Sequence, residues 1–473
     1  MKLKISKIAE LNEKSTTAIL TDEYDPLKFN FLDQTEIDYA RKKLSDGTDS
    51  IVHRDRHIIY IKKIKEEKKA YLQNEDARVS GSKFFELLKE EKPASFQIMD
   101  LTDECYTLPF LEGVLLSSYS FSKYKKKKDD YIPDEVLICG DRVSNKETAE
   151  LISVIEAVFE ARDLVNEPLS FLTASRLSEE LERMGGIAGF NVEVLNKKKI
   201  EALRMGGLLA VNRGSVDPPS FNILEWKPEN AVNDKPVILC GKGIVFDTGG
   251  LSLKPTLKSM DYMKSDMAGA AVVAATIYAS AKNKMPLHLV GLIPATDNRP
   301  DGNAYVPGDV ITLFDGSTVE IKNTDAEGRL ILADALSYAK KYDPLLVVDV
   351  ATLTGAATII SGTHASIAMG NSAADIQKLE QTGNEVYERI IELPLWEEFA
   401  KPLKSAIADL NNLGSREAQT SVAGKFLEHF TDYPWIHLDI AGVAFFEEKD
   451  SYRPLGGTGI GTRLLYNFLK KFN

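Results

Sequence analysis

Lysines and carboxylates cluster around a glycine-rich turn near the middle of the chain. Lys242 and Asp247 precede a Gly-Gly pair, Lys254 follows it, and Asp266 comes after a further polar stretch. Each residue alone has a simpler explanation, because a loop Asp is usually solvated or caps a helix and a single Lys is usually exposed. Since a second acidic cluster occurs further along the chain, we predict a chemical role for the combination.

The second cluster is the pair Asp325 and Glu327, which follows a predicted hairpin over Phe314–Lys322 with an Asp-Gly turn. Residues two apart in an extended chain point to the same side. Together the two clusters supply four carboxylates and no histidine or thiolate, a hard, oxygen-rich set suited to Mn, Mg or Zn. Two ions about 3.5–4 Å apart can activate a water and polarise a carbonyl or phosphoryl oxygen. The predicted chemistry is therefore hydrolytic.

Strands alternate with helices around these clusters. The runs Val237–Cys240, Leu287–Ile293 and Leu345–Val350 are apolar enough to be strands buried on both faces, and Ser265–Ala281 and Gly328–Lys341 are predicted helices between them. This alternation predicts a largely parallel sheet covered by helices. Ligand sites in such sheets lie outside the carboxyl ends of the strands, where both clusters are expected.

The first part of the chain has a different pattern of short strands and charged helices. Strands are predicted over Ile51–Lys62, Ser95–Met99 and Glu135–Cys139, a helix over Lys83–Glu91, and one long helix over Lys146–Val165. A chain of 473 residues exceeds the size of one hydrophobic core. We therefore predict an α/β protein with a small α/β domain over 1–145, a connecting helix over 146–165, and a larger α/β catalytic domain over 166–473 with a mostly parallel central sheet.

Composition narrows the class of protein. With 44% hydrophobic and 27% charged residues, the chain has the profile of a folded globular protein. Its formal charge of -12 disfavours nucleic acid and anionic membranes as partners. Three cysteines without a CxxC spacing favour neither a disulfide framework nor a thiolate metal site. No signal peptide or membrane-spanning stretch is predicted, so a cytoplasmic location is expected.

Other motifs are better explained by structure than by chemistry. The six histidines form no HExxH, and His437 lies in a predicted strand. Ser80 and Lys83 match SxxK without its companion motifs. The glycines of Gly241–Gly243 and Gly456–Gly461 lack the dinucleotide-binding pattern and are expected in tight turns.

The octapeptide Asn323–Leu330 (NTDAEGRL) resembles the signature of the M17 leucyl aminopeptidase family. The resemblance continues through further segments of the carboxyl-terminal part, from about Arg162 onward: Ala161–Asn166 (ARDLVN), Gly241–Gly250 (GKGIVFDTGG), Asp349–Ala356 (DVATLTGA), Trp435–Gly442 (WIHLDIAG) and Gly457–Leu465. It implies a metal-dependent aminopeptidase that releases amino-terminal residues, leucine-like ones above all, from short peptides, assembled as a homo-hexamer.

Carried over by position, the resemblance implies two divalent ions, Mn or Zn, and five metal ligands. Asp247 and Glu327 would bridge both ions. Lys242 and Asp266 would complete the tighter site, and Asp325 would complete the more exchangeable one through carboxylate and backbone carbonyl oxygens. A lysine ligand must be neutral, so a nearby dication has to depress its pKa.

Two further residues are assigned roles by the same resemblance. Lys254 would stay charged and stabilise the oxyanion of the tetrahedral intermediate, and Arg329 would hold a bicarbonate that relays the proton from the attacking water. The sequence departs from the family pattern in the segment between Lys254 and Asp266, which is one residue longer, and at Ala268, where Gly or Cys is common.

Two other functions fit parts of the pattern. A two-metal phosphohydrolase would use the same carboxylates, but the M17 spacing of Lys242, Lys254 and Arg329 favours peptide hydrolysis. A structural or DNA-binding assembly protein is the second alternative, because some bacterial relatives act at DNA sites. The acidic net charge counts against it.

Overall fold

A computed structural model of the chain describes residues 3–23, 31–128 and 130–472. The chain divides into two units, one made of Met1–Glu156 with Glu448–Pro454 and one made of Ala157–Glu447 with Leu455–Asn473. The predicted domain boundaries at 145 and 166 stay a prediction. Every helix in the described part of the chain is too short or too polar to traverse a bilayer.

A six-stranded sheet forms the centre of the first unit. Its strand order is β1-β6-β5-β2-β4-β3, and all neighbours are parallel except β3 and β4. The elements in chain order are β1 Lys4–Ile8, β2 Thr17–Thr21, α1 Gln34–Ser45, β3 Ser50–Arg54, β4 His57–Lys63, α2 Ala70–Glu91, β5 Ser95–Asp100, α3 Thr107–Ser117 and β6 Glu135–Cys139. Helix α4 Asn145–Asn166 follows, and the boundary between the two units falls within it, after Glu156.

Two sequence predictions in this unit were wrong in extent. The single strand predicted over Ile51–Lys62 is the antiparallel pair β3 and β4, because the charged residues Asp55 and Arg56 form a turn within the apolar run. The helix predicted over Lys83–Glu91 is only the second half of α2. Its first half is polar in sequence and still partly buried, since Arg78 pairs there with Glu75 and Glu112.

The second unit is built on a nine-stranded, mostly parallel sheet. Eight strands follow the order β16-β15-β18-β14-β9-β11-β8-β7, and β10 pairs with β11. Strands β18, β14, β9, β11 and β10 are parallel, whereas β15 pairs antiparallel with β18, and β8 with β11 and β7. The strands of this sheet are β7 Asn191–Leu195, β8 Ser220–Trp226, β9 Val237–Gly241, β10 Gly243–Asp247, β11 Leu289–Asn298, β14 Leu346–Ala351, β15 Ser366–Gly370, β16 Ile390–Glu392 and β18 Trp435–Asp439. Two small sheets are formed by β12 Val310–Thr312, β13 Thr318–Glu320 and β17 Leu410–Asn411, and by β19 Phe445–Phe446 and β20 Gly456–Gly457. The predicted α/β class and mostly parallel sheet are confirmed.

Helices cover both faces of this sheet, as buried parallel strands require. They are α5 Ala174–Ala188, α6 Lys197–Leu203, α7 Gly206–Asn212, α8 Ala268–Lys282, α9 Gly328–Ala339, α10 Gly355–Ser361, α11 Ala373–Val386, α12 Gln419–Glu428 and α13 Thr462–Lys470, with 3₁₀ helices at Met260–Met267, Lys340–Tyr342 and Glu397–Leu403. The main core packs α7, α9 and α12 against the central strands.

Helix α8 approaches the sheet closely. All its residues from Ala268 to Ala281 are buried, and most of them are small. A Cβ at Gly269 would lie 2.0 Å from the carbonyl oxygen of Val350 in β14, so only glycine permits this approach. The close packing brings the amino-terminal end of α8, and Asp266 just before it, to the carboxyl edge of the sheet.

Three predicted elements of this unit differ in their bounds. The strand predicted over Leu287–Ile293 continues to Asn298, because Pro294 and the polar residues after it remain paired with β8 or β10. The helix predicted from Ser265 is 3₁₀ up to Met267 and α-helical after it. The hairpin predicted over Phe314–Lys322 has its Asp-Gly turn at the expected place, but its first strand is β12, earlier in the chain.

Candidate metal centre

The residues predicted as metal ligands lie at the ends of strands or in the segments that lead into the helices next to them. Lys242 directly follows β9, and Asp247 is the last residue of β10. Asp266 lies in the 3₁₀ helix before α8, while Asp325 and Glu327 lie in the segment that leads into α9. The fold therefore collects all five at the edge where parallel α/β sheets form ligand sites.

The side chain of Lys242 is enclosed by polar groups from three segments. Its Nζ lies 2.7 Å from Asp266 Oδ1 and 3.0 Å from Glu327 Oε1. It also donates a hydrogen bond of 2.8 Å to the carbonyl of Thr352. A Cβ at Gly328 would lie 2.4 Å from Lys242 Cε, so glycine lets the start of α9 pack over the lysine. The Lys242 side chain is only 3% exposed as a result.

Lys254 pairs with the other two carboxylates. Its Nζ lies 2.9 Å from Asp247 Oδ2 and 2.5 Å from Asp325 Oδ1. Its side chain is 16% exposed, compared with 3% for Lys242. Both lysines neutralise carboxylates of the cluster, but Lys254 is the one accessible to a molecule that enters from solvent.

The carboxylates are placed and charged as a divalent cation requires. Asp247, Asp325 and Glu327 each offer an oxygen within 4.8 Å of the others, close enough to hold one ion. Glu327 Oε2 and Asp266 Oδ2 are buried oxygens that no hydrogen-bond donor reaches among the described residues. Four carboxylates face two ammonium groups, so negative charge is in excess. An oxygen-rich set of this kind fits a divalent metal.

Burial and mutual repulsion shift the acidity of the carboxylates. Burial raises the pKa of Asp325 to about 7, and the negative charges of Glu327 and Asp247 add to the rise. Burial likewise raises the pKa of Asp266 well above its usual range. For Glu327, the effect of burial is outweighed by the two nearby ammonium groups, which lower its pKa. A cation at this position would relieve the repulsion, which is a second reason that the set fits a metal.

The neighbouring carboxylates also determine the protonation state of Lys242. Burial would lower its pKa, but the carboxylates of Asp266, Glu327 and Asp247 outweigh burial and raise it. These neighbours hold the side chain as an ammonium, whereas a metal ligand must offer a free lone pair. Metal binding at Lys242 would therefore release a proton.

Arg329 is the one predicted site residue that does not pair with the acidic cluster. It is buried, and its guanidinium lies 5.8 Å from the centre of the Phe426 ring. No carboxylate of the described residues lies within ion-pair distance of it. Burial lowers its pKa to about 10. A buried guanidinium without a carboxylate partner is suited to holding a small anion.

Two polar residues that the sequence prediction missed contact the cluster. Thr352 follows β14, and its Oγ1 donates a hydrogen bond of 2.7 Å to Asp266 Oδ1. Asn298 is the last residue of β11, and its Nδ2 donates one of 2.8 Å to Asp247 Oδ1. Both stand at the carboxyl ends of apolar strands, and that position is the signal that could have identified them.

His437 makes contacts that suit the structural role expected of it. Its Nδ1 lies 2.6 Å from Asp349 Oδ1, and Trp435 Nε1 donates a 2.7 Å hydrogen bond to the other oxygen of the same carboxylate. All three side chains are buried in adjacent strands β14 and β18. The trio links these two central strands.

A family model matches most of the second unit. Residues 159–466 match the model described as the cytosol aminopeptidase family, catalytic domain. The chain belongs to the cytosol aminopeptidase family. The matched range contains every site residue named above, and the M17 resemblance is confirmed. As a member of this family the protein is a metal-dependent aminopeptidase, a hydrolase of peptide bonds.

Curated relatives are similar over most of their length. A probable cytosol aminopeptidase of Chlorobaculum tepidum is 47% identical over 376 residues, which cover 76% of this chain and 74% of the relative. One from a Geobacter species is 39% identical over 422 residues, or 85% of this chain and 84% of the relative.

A solved structure shares the fold of almost the whole chain. It is the bottromycin maturation enzyme BotP in complex with Mn, with a TM-score of 0.85 and 30% sequence identity. The match covers 97% of this chain and 99% of BotP. Family membership and fold together favour peptide hydrolysis over the phosphohydrolase alternative.

Proposed function

We propose that this aminopeptidase uses two divalent ions to remove single residues, leucine-like ones by preference, from the amino termini of short peptides. The observation that carries the proposal is the meeting of Lys242 with four carboxylates at one edge of the sheet. The resemblance to leucyl aminopeptidases supports the substrate preference. Manganese is the first choice of metal because the solved relative binds Mn, and zinc is the second.

In this proposal Asp247 and Glu327 would help to hold both ions. Lys242 and Asp266 would complete the first site, which is supported by their 2.7 Å contact. Asp325 would complete the second with its carboxylate and backbone carbonyl oxygens. Bound ions would polarise the peptide carbonyl and favour ionisation of a water molecule.

The cationic residues act on the charges that develop during hydrolysis. Lys254 directs its ammonium to the carbonyl oxygen of the substrate and stabilises the negative charge that forms there. Its partial exposure supports this role, because the substrate must reach the ammonium. Arg329 would hold a bicarbonate ion, which would supply a base for the proton of the attacking water. The absence of a carboxylate partner for Arg329 among the described residues supports an anion there.

Removal of metal is expected to abolish activity. After dialysis against a chelator, hydrolysis of leucine p-nitroanilide should fall to background, because in this proposal the bound ions activate the water. Addition of Mn2+, Zn2+ or Co2+ should restore it, measured as initial rate against equivalents of metal added. Full activity of protein shown to be metal-free by elemental analysis would contradict the proposal.

A panel of substrates with the reloaded protein tests the reaction class and the preference. Leucine, lysine and glutamate p-nitroanilides compare side chains, while N-acetyl-leucine p-nitroanilide should resist cleavage because its amino terminus is blocked. p-Nitrophenyl phosphate tests the phosphohydrolase alternative directly. Faster release from the phosphate ester than from any anilide would reject the proposed function.

We also propose a homo-hexameric assembly, which rests on the family resemblance. Light scattering coupled to size exclusion is expected to give a mass near six times the 52.4 kDa chain. A fully active monomer under the assay conditions would contradict this prediction.

A cytoplasmic location is proposed from the description of the relatives as cytosol aminopeptidases. Cell fractionation with detection by antibody would test it, and recovery in a membrane or secreted fraction would contradict it.

A further inference from the structure

We propose that Asn298 is a positioning residue whose amide orients Asp247 and ties it to the Asp325 segment, so that tight metal binding depends on this amide. The inference rests on the proposed ligand set and extends it to a residue that is not a ligand. Asn298 is completely buried at the end of β11, where its side chain has no access to solvent. Its effect must therefore act through the residues that it contacts.

The amide of Asn298 bonds to both acidic segments of the site. One N–H of Nδ2 donates to Asp247 Oδ1 at 2.8 Å, and the other donates to the carbonyl of Thr324 at 2.9 Å. Both partners are acceptors only, so the chemistry of the contacts fixes which end of the amide faces them. Thr324 immediately precedes Asp325, and the two hydrogen bonds therefore connect the strand that ends in Asp247 to the second acidic cluster.

The two carboxylate oxygens of Asp247 have different partners. Oδ1 accepts hydrogen bonds from Asn298 and from the backbone N–H of Gly249, each of 2.8 Å. Oδ2 points to Lys254, 2.9 Å away. Because Oδ1 already accepts two N–H hydrogen bonds from the protein, Oδ2 is the oxygen that faces the ammonium group of Lys254. Loss of the Asn298 donor would free the carboxylate to rotate.

The backbone of Asn298 also binds the segment that contains Asp247, through Thr248. Its carbonyl accepts hydrogen bonds from the N–H of Thr248 at 3.0 Å and from its hydroxyl at 2.9 Å. In the parallel pairing of β10 with β11, Asp247 lies opposite Asn298 after an irregularity in the register. A substitution of the side chain keeps these backbone bonds, so the segment is expected to stay in place while Asp247 loses its orientation.

Titration of metal-free protein with Mn2+ by calorimetry tests the inference without relying on turnover. Asn298→Ala and Asn298→Leu both remove the donor, and Leu keeps a branched side chain of similar length, so that the site is not left empty. Loss of a residue that orients a metal ligand typically lowers metal affinity about 10–100-fold, and this is the expected result for both variants. Turnover should recover at high Mn2+, because the ligands themselves are intact.

Two matched controls separate positioning from packing. Tyr305→Phe removes the other side-chain hydrogen bond to the Thr324 carbonyl, 2.8 Å long, without touching Asp247. Asn212→Ala removes a second buried Asn that bonds to Thr296 in the same strand. Both controls should bind Mn2+ as the unmodified protein does, with thermal unfolding of the metal-free proteins reporting any loss of stability.

The outcomes distinguish this inference from the proposed ligand set. If Asp247→Asn keeps full Mn2+ affinity, the ligand set itself fails. If Asp247→Asn loses affinity while the folded Asn298 variants keep it, only the positioning role is overturned. It is also overturned if the Asn298 variants and Tyr305→Phe lose affinity equally, or if neither Asn298 variant folds while Asn212→Ala does, since Asn298 would then serve the fold alone.

Discussion

Lys254→Ala is expected to lower turnover by about 10²–10³ while Mn2+ affinity is retained, because removal of one oxyanion donor typically costs that much. The Lys254 ammonium lies between Asp247 and Asp325. Its removal leaves these carboxylates with less positive charge nearby, which favours a dication rather than expelling it. KM should change little, because the charge that Lys254 stabilises forms only during the reaction. Steady-state kinetics and calorimetric Mn2+ titration measure the two effects separately.

Lys242→Ala provides the contrast. Its side chain is almost fully enclosed by Asp266 and Glu327, so this variant should weaken one ion selectively. Lys258→Ala, which alters an exposed lysine of the segment that follows Lys254, serves as a control and should affect neither quantity. The division of roles is wrong if Lys254→Ala loses metal while Lys242→Ala retains two ions per chain.

The sequence indicated that Lys242, Asp247, Asp266, Asp325 and Glu327 would lie close together, and the structure places them so. The apolar runs before Lys242 and Thr352 are buried parallel strands, and chain alternation places their carboxyl ends at one edge. Asp325, Glu327 and Gly328 lie in one continuous sequence motif. In this region the order of strands and helices along the chain is enough to indicate which loops lie at the same edge of the sheet.

The residues that support the ligands could not be predicted in the same way. Asn298 contacts Asp247 only because β10 pairs with β11 in a register that shifts before Asp247, and no local pattern encodes that shift. In the first unit, Arg78 lies in the polar half of α2 and is buried by pairing with Glu112 of α3. Both cases depend on contacts between residues that are distant in sequence, and the hydrophobic periodicity of a segment carries no information about such contacts.

Glu327→Gln is expected to bring activity to background and to weaken Mn2+ binding by more than the roughly 10–100-fold typical of residues behind a ligand. Glu327 would contact both ions, and its buried Oε2 is free of hydrogen bonds among the described residues, so the amide removes a charge that nothing else at that position replaces. Lys242 keeps its contact with Asp266, which limits the structural damage. Glu320→Gln is the matched control, because it neutralises a buried carboxylate of the same unit that bonds to Ser405 and Lys322 instead. Elemental analysis, Mn2+ titration and leucine anilide turnover should separate the two variants. Normal metal content and turnover in folded Glu327→Gln would remove Glu327 from the ligand set and with it the shared carboxylate on which the two-ion proposal depends.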